Sequence, residues 1–164
     1  MSEVAFPAGQ VQAPDGTDLE YTRELMKMIE EHNIPAPAPL EQRWTSASSS
    51  PMSPASSPNP NQLFSWLGII MYLPPDDQKQ RDAIKLAFAK YKQTCADKLW
   101  GKYRCAEHWA KLDVTAEGPW FDKVKARLRE RFPIGEFNVM RTRMDPHGIC
   151  ASKALAALFD TQSG

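Results

Sequence analysis

Apolar residues recur at helical intervals in several stretches of the chain, and the first of these spans residues 18–31. Thr17 and Glu20 have the spacing of a capping box, which predicts that a helix begins there. Asn33 and Pro35 predict where this helix ends. Its apolar face would consist of Leu19, Leu25, Met26 and Ile29.

Further helices are predicted in the second half of the chain. One follows the proline pair at residues 74–75, with Asp76 or Asp77 as its N-cap. Its core stripe would be Ile84, Phe88, Tyr91, Cys95 and Leu99. Another begins at about Pro119 and stops at Pro133. Its apolar face would be Phe121, Val124, Leu128 and Phe132. A last short helix would group Leu155, Leu158 and Phe159.

The longest apolar run, residues 63–73, has the aromatic and β-branched content of a strand and is bounded by turn residues. We expect it to be covered on both faces and to form the middle of a sheet. It is too short to span a bilayer. Another strand can start at Leu40, and residues 103–114 also favour an extended chain. Strands mixed with amphipathic helices predict an α+β fold in which helices pack on a mainly antiparallel sheet.

Composition removes several classes of function. Serine and proline dominate residues 46–62, which predicts a surface loop because such a stretch buries little apolar area. Twenty basic residues balance twenty acidic ones without long blocks of either sign, so nucleic acid is a poor candidate partner. The three cysteines are too few and too widely spaced for a disulfide framework. The sequence contains neither the glycine motif of a dinucleotide-binding fold nor that of a phosphate-binding loop. Its histidines also lack the spacing of metal ligands, so no metal site is predicted.

The first polar segment with candidate chemistry is residues 41–45. In a strand, Glu41, Arg43 and Thr45 would share one face, so that Trp44 can pack on the other while a Glu41–Arg43 ion pair faces a cavity. A guanidinium offers forked donors to a carbonyl oxygen or an electron-rich ring, and a carboxylate accepts hydrogen bonds from hydroxyl groups. The alternative is a solvated pair of little energetic value, which spacing alone favours.

The second such segment is residues 107–111. If it is extended, His108 and Ala110 share one face while Trp109 and Lys111 share the other. A lysine and a histidine that converge on one ligand would stabilise negative charge that develops on it during a reaction. A lone histidine is more often structural, and the sequence pattern alone favours that reading.

Whole phrases of the sequence carry more information than these short motifs. They are IPAPAPLEQRWT (residues 34–45), SPMSPA (50–55), FSWLGIIMYLP (64–74), EHWAK (107–111), RFP (131–133) and DP (145–146). In this order they resemble the plant-type galactonolactone dehydrogenases of the aldonolactone oxidase family, within the vanillyl-alcohol-oxidase superfamily. The likeness spans nearly the whole chain. One departure is residues 46–50, which lack the basic residues usual in the family.

The resemblance implies a division of labour between two domains. In that family an amino-terminal domain binds FAD, and a carboxy-terminal cap domain shapes the substrate pocket. Residues 1–164 resemble the cap domain, and Met1 falls in the middle of the family's sequence, so we expect the FAD domain to be absent. By resemblance, Glu41 and Arg43 would bind the lactone, Arg43 would also favour the anionic reduced flavin, and His108 and Lys111 would lie near the flavin ring.

The reaction implied by the resemblance is oxidation of L-galactono-1,4-lactone to L-ascorbate, with FAD as cofactor and cytochrome c as acceptor. It also implies a mitochondrial location, on the intermembrane-space side of the inner membrane. The first residues have no secretory or mitochondrial presequence pattern, so an import signal would lie elsewhere. A cap portion without its flavin domain would be inactive alone. The alternative is a non-catalytic interaction fragment, for example in the assembly of mitochondrial complex I.

Overall fold

The computed structural model describes residues 1–112 and 118–159. The chain divides into two compact units. The first comprises Met1–Ser49 and Ser53–Lys111, and the second comprises Ser50–Met52 and Leu112–Gly164. The single cap domain over residues 1–164 stays a prediction.

Strands lie in the first unit, and helices occur in both. The strands are β1 (Ser2–Gln10), β2 (Ala13–Pro14), β3 (Glu41–Ser46), β4 (Gln62–Ile69) and β5 (Ala106–Glu107). The helices are α1 (Thr17–Glu31), α2 (Gln78–Cys95), α3 (Pro119–Arg131), α4 (Ile134–Met144) and α5 (Lys153–Phe159).

The sheet of the first unit has the order β2-β1-β4-β3, and β5 also pairs with β1. Every pairing between these strands is antiparallel. β4 lies between β1 and β3, and its residues from Phe64 to Ile69 are buried. The prediction that this apolar run forms the middle of the sheet is therefore confirmed.

One face of the sheet is covered by helices, and we call it the helix face. Phe6 of β1 stacks on Tyr21 of α1, with ring centroids 4.5 Å apart. Tyr103 meets the edge of Tyr21 at 5.1 Å. Cys95, the last residue of α2, and Trp100, five residues further on, line the same small void as Leu67 and Tyr21. That void measures about 10 Å³, near the lower limit for one water molecule, so this core is closely packed.

The opposite face is partly covered by the Ser/Pro-rich loop, and we call it the loop face. Ala5, Phe64 and Trp66 form a buried cluster there with Ala55, which the loop supplies. Hydrogen bonds across the loop, including Ser48 N–H to the Ala55 carbonyl at 2.9 Å, hold it in place. The loop thus adds apolar cover beside Trp66, although its sequence predicts little burial.

Helix α1 differs from its prediction at both its cap and its face. Thr17 is the first helical residue rather than the cap, which is Gly16 in a left-handed conformation. The capping box is therefore wrong. The buried residues are Tyr21, Leu25 and Met28, while Leu19 and Met26 point to solvent. Stacking of Tyr21 on Phe6 turns the helix so that a different stripe faces the sheet.

Two strand predictions are also wrong in extent. β4 ends at Ile69, which pairs with Ser2, and beyond it β1 offers no further partner. Tyr72 and Leu73 are exposed. In the segment predicted to be extended, β5 covers only Ala106–Glu107, and a 3-10 turn follows at Trp109–Lys111. The last two residues of that segment, 113 and 114, lie outside the described residues.

Helix α2 matches its prediction closely. Asp77 is the N-cap and accepts a hydrogen bond from the Gln80 N–H at 2.9 Å. Tyr91, Cys95 and Leu99 of the predicted stripe are buried, and a π-helical turn over Ala96–Trp100 continues the helix.

The second unit contains α3, α4 and α5. α3 has Pro119 in its first turn and buries Val124 and Leu128, as predicted. In the turn after α4, the Asp145 carboxylate accepts hydrogen bonds from two backbone N–H groups, and Gly148 has a φ of 65°. α4 itself is not indicated by the sequence pattern. In α5 Leu158 and Phe159 are buried, and the Leu155 side chain lies outside the described residues.

Candidate functional site

The candidate residues of β3 lie on the loop face of the sheet. Glu41 pairs with Gly68 of β4, and Arg43 pairs with Trp66. Paired residues in antiparallel strands share a face, so both side chains project beside Trp66. The predicted alternation along β3 is confirmed, since it places Trp44 on the opposite face.

Arg43 is held from two directions. Its Nε donates a hydrogen bond to Oε1 of Glu3 at 2.8 Å, and its guanidinium carbon lies 4.1 Å from the ring centroid of Trp66. A guanidinium over an indole face is a favourable cation–π geometry. The Arg43 side chain is still 48% exposed, whereas that of Glu3 is only 9% exposed. The outer edge of the guanidinium is therefore open to a ligand.

This arrangement corrects two details of the prediction. The ion-pair partner of Arg43 is Glu3, not Glu41, because the side chain reaches across β4 toward β1. Trp44 is 53% exposed rather than packed in the core. Its indole N–H donates to Oδ2 of Asp18 at 3.0 Å, which ties β3 to the start of α1.

Trp66 joins the arginine to the histidine. Its ring meets the His108 ring edge-on, with centroids 5.7 Å apart, and its Nε1 donates to Oγ1 of Thr45 at 2.9 Å. The indole is 6% exposed. This buried indole consequently forms the surface on which Arg43 packs, and it also contacts His108.

His108 is fixed by the backbone as well as by its ring. Its N–H donates to the Glu3 carbonyl at 2.9 Å, next to the β1–β5 pairing. Its Nδ1 accepts a hydrogen bond from the Ala110 N–H at 3.1 Å, so in the neutral ring the proton lies on Nε2. Nε2 lies 3.8 Å from Oε2 of Glu3. Because the 3-10 turn folds this segment, the predicted alternation of faces over residues 108–111 is wrong.

Lys111 and Glu41 lie at the margin of this cluster. The Lys111 N–H closes the turn by donating to the His108 carbonyl at 2.8 Å. Burial lowers the pKa of the Met1 amino group, and the nearby charge of Lys111 lowers it further. Among the described residues, the Lys111 ammonium makes no hydrogen bond or ion pair with Glu41, Arg43 or His108. The structure thus brings Arg43 and His108 together and leaves Glu41 and Lys111 beside them.

Two residues of the cluster are missed by sequence reasoning, namely Glu3 and Trp66. The sequence pattern gave no strand at residues 2–10, although Val4, Phe6 and Ala8 alternate with residues of the other face. That alternation is the signal that could have placed Glu3 on the same face as Ala5. Pro7 weakens the strand pattern, since proline is disfavoured inside sheets.

Other features of the described residues lie away from the cluster. An open cavity of about 480 Å³ adjoins the β1–β2 turn, lined by polar groups that include Asp15, Gln62 and Arg104. No helix in the described part of the chain has the length and apolar content to cross a membrane. Within the same residues, no cluster of three His, Cys, Asp or Glu side chains is placed to hold a metal ion.

The architecture fits the cap domain of an oxidoreductase family, and the predicted α+β class with a mainly antiparallel sheet is confirmed. The chain belongs to the D-arabinono-1,4-lactone oxidase family, whose model matches residues 12–158. The resemblance carried by the long phrases of the sequence is thereby confirmed.

Three relatives extend this assignment. The L-galactono-1,4-lactone dehydrogenase 1, mitochondrial, of Oryza sativa subsp. japonica is 46% identical over 159 residues, which are 97% of this chain and 27% of the relative. The L-galactono-1,4-lactone dehydrogenases, mitochondrial, of Arabidopsis thaliana and Brassica oleracea are 44% and 43% identical over 97% of this chain and 26% of each relative. The chain thus spans about a quarter of the length of the curated relatives it matches.

Proposed function

We propose that this chain forms the substrate side of an FAD-linked dehydrogenase that oxidises L-galactono-1,4-lactone to L-ascorbate. The observation that carries the proposal is the cluster of Arg43 and His108 around one buried carboxylate, on the face that also carries Glu41. Its support from outside the structure is the similarity to enzymes named for this lactone.

The chemistry of the cluster suits a polar, electron-rich ligand. The exposed edge of Arg43 provides N–H donors for a lactone carbonyl, and the Glu41 carboxylate accepts hydrogen bonds from sugar hydroxyls. The low exposure of Trp66 keeps water from one side of the guanidinium, which strengthens its interactions. Glu41 and Arg43 therefore bind and orient the lactone in this proposal.

The same donors fit a flavin. FAD, when bound, accepts the hydride that leaves the lactone. Arg43 and His108 present N–H groups, and Lys111 presents an ammonium, so this edge of the sheet favours negative charge on a neighbouring ring. The parts that hold the rest of the cofactor would be supplied by sequence beyond these 164 residues. Cytochrome c as acceptor and a location at the mitochondrial inner membrane belong to the same proposal.

The test is a chimera in which this chain replaces the matched 159 residues of the rice relative. We expect the purified chimera to retain flavin absorbance and to reduce cytochrome c when the lactone is added. Arg43→Ala should lower kcat/KM by about 100-fold or more, as expected for loss of a charged donor in a closed site. The kcat/KM of Arg43→Lys should lie between those of the unchanged chimera and Arg43→Ala, since lysine keeps the positive charge but lacks the forked donors of a guanidinium.

The matched control is Arg23→Ala, which removes an exposed arginine of α1 and should leave the rate unchanged. Equal rates for the Arg43 and Arg23 variants would contradict the proposal, as would a chimera that holds flavin without lactone turnover. The chain alone with added FAD is the reference. Flavin retention and turnover by the chain alone would show that it needs no further domain.

A further inference from the structure

Like Trp66, the Glu3 carboxylate lies beside both Arg43 and His108. Its Oε1 accepts from Arg43 Nε at 2.8 Å, and its Oε2 lies 3.8 Å from His108 Nε2. The side chain is only 9% exposed. A buried carboxylate is costly unless it is paired and hydrogen-bonded, so its position depends on these neighbours and theirs on it.

The register of three strands fixes Glu3 in this place. Glu3 is opposite Gly68, and Gly68 is opposite Glu41. Gly68 places no side chain of its own between Glu3 and Glu41, and the Met1 side chain reaches this space, since an added Cβ would lie 3.3 Å from Met1 Cε. Arg43, which is opposite Trp66 in the next row, extends across β4 to reach Glu3.

The contact orients the arginine rather than simply neutralising it. The Nε–H bond to Glu3 and the Trp66 ring below restrict rotation of the guanidinium. Among the described residues the terminal nitrogens make no further hydrogen bond, and the Arg43 side chain remains 48% exposed. Without the carboxylate, the long side chain would regain several rotamers, and its forked donors would no longer be aligned.

The same carboxylate complements the histidine. In the neutral ring, the hydrogen bond from Ala110 to Nδ1 requires the proton to lie on Nε2, the nitrogen that faces Glu3. A carboxylate opposite that N–H favours this tautomer over the other, because the alternative would place a lone pair against a negative charge.

We propose that Glu3 is a positioning residue that aligns Arg43 over Trp66 and maintains the Nε2-protonated form of His108. It acts through these two residues and lies behind them, away from the exposed edge. What Arg43 and His108 then do to a ligand rests on the proposed function. Their alignment by Glu3 does not, and it can be measured on the 164-residue chain without flavin or lactone.

The first experiment is nitrogen-15 NMR of that chain. The Nε–H proton of Arg43 should exchange with water roughly ten- to a hundredfold more slowly than that of exposed Arg23, given the strength of a charge-assisted hydrogen bond. Long-range proton–nitrogen spectra should show His108 protonated at Nε2. Fast exchange at Arg43, or a His108 proton on Nδ1, would overturn the proposal in the wild-type chain itself.

Two substitutions separate positioning from general stability. Glu3→Ala should bring Arg43 exchange to the rate of Arg23. Glu3→Gln, which keeps an oxygen acceptor of the same reach, should restore most of the protection. Glu30→Gln, an exposed change in α1, is the control and should alter neither signal. If Glu3→Ala does not fold, the proposal is judged from the Arg43 exchange rates of the wild-type and Glu3→Gln chains. Loss of Arg43 Nε–H protection in a folded Glu3→Gln chain would contradict the positioning role of Glu3.

The chimera supplies a separate readout. Glu3→Ala should lower kcat/KM nearly as far as Arg43→Ala, and the double variant should be no slower than Arg43→Ala, because residues that act through one another are not additive. Additive losses would contradict positioning through Arg43. An inactive chimera would count against the proposed function alone, while the NMR experiment would still judge Glu3.

Discussion

Gly9 sits where β1 bends before the turn into β2. The register of β1 with β4 shifts between Pro7 and Gln10, which marks a β-bulge, and Gly9 has a φ of 87°. A Cβ at this position would lie 2.6 Å from the Asp15 nitrogen and 2.7 Å from the Ala13 oxygen. Both atoms belong to the backbone, so neither can move aside cheaply. Glycine is required here by conformation and by space together.

We therefore expect Gly9→Ala to lower the free energy of unfolding by about 2 kcal/mol or more, the cost of positive φ plus a backbone collision. The control is Gly16→Ala, which has a φ of 80° with nothing within 4 Å and should cost only about 1 kcal/mol. Urea unfolding of both variants gives the comparison. Equal losses would show that the close approach at Gly9 is absent in solution.

At this scale the sequence could predict which face of β3 the candidate side chains share but not which side chains meet. Glu41 and Arg43 were paired in prediction because they are two residues apart in one strand. The real partner, Glu3, is 40 positions away and two strands across the sheet. Alternation along β3 gives a face, whereas a partner on a non-neighbouring strand depends on register, which β3 alone does not encode.

The N-terminus of α2 shows what a single capping contact contributes to an element. The Asp77 carboxylate accepts the Gln80 N–H, while the neighbouring Asp76 lies before the helix. We expect Asp77→Ala to destabilise the first unit by about 0.5–2 kcal/mol, the usual worth of an aspartate N-cap. Asp76→Ala removes the same charge without the cap and should cost much less.

The measurement is the urea midpoint of each variant, with helicity followed by circular dichroism. A larger loss from Asp76→Ala than from Asp77→Ala would reverse the assignment of the cap, which the sequence left open between the two. Equal losses would indicate a charge effect rather than a hydrogen bond.

Elements with one strong pattern were predictable, and those shaped by distant contacts were not. β4 and α3 each carry a single apolar signal, and both are found as predicted apart from the end of β4. α1 has apolar residues on more than one side, so the stack of Tyr21 on Phe6 decides which side is buried. α4 exposes Val139, Met140 and Met144 and buries Ile134, so it has no continuous stripe for a helical period to detect.

Taken as a whole, the first unit buries several acids in neutral form on the helix face. Burial raises the pKa of Cys95 to about 12 and raises the pKa values of Tyr21 and Cys105. The folded chain keeps these protons at a pH where the unfolded chain loses them. The stabilisation is complete below about pH 9, the ordinary thiol value, and is lost as the pH rises toward 12.

We therefore expect the free energy of unfolding to fall between pH 9 and 11, by about 1 kcal/mol per pH unit from Cys95 alone. Urea titrations at pH 7.5, about 9 and about 10.5 would measure the slope. Cys95→Ala is the matched variant, and it should be less stable at neutral pH yet show a shallower fall. A stability that does not change over this range would contradict neutral burial of these groups.

Because β1 pairs with β4, β1 is synthesised in the cell well before its main partner strand. Ser2 must meet Ile69, so about 67 residues have to be translated after Ser2 before its partner exists. At roughly 5–20 residues per second this takes on the order of 3–13 s. During that interval Val4 and Phe6 are exposed on the nascent chain, available to chaperones at the ribosome. A translation pause before β4 would lengthen that exposure, so codon choice within residues 11–61 affects how long β1 stays unpaired before the sheet forms.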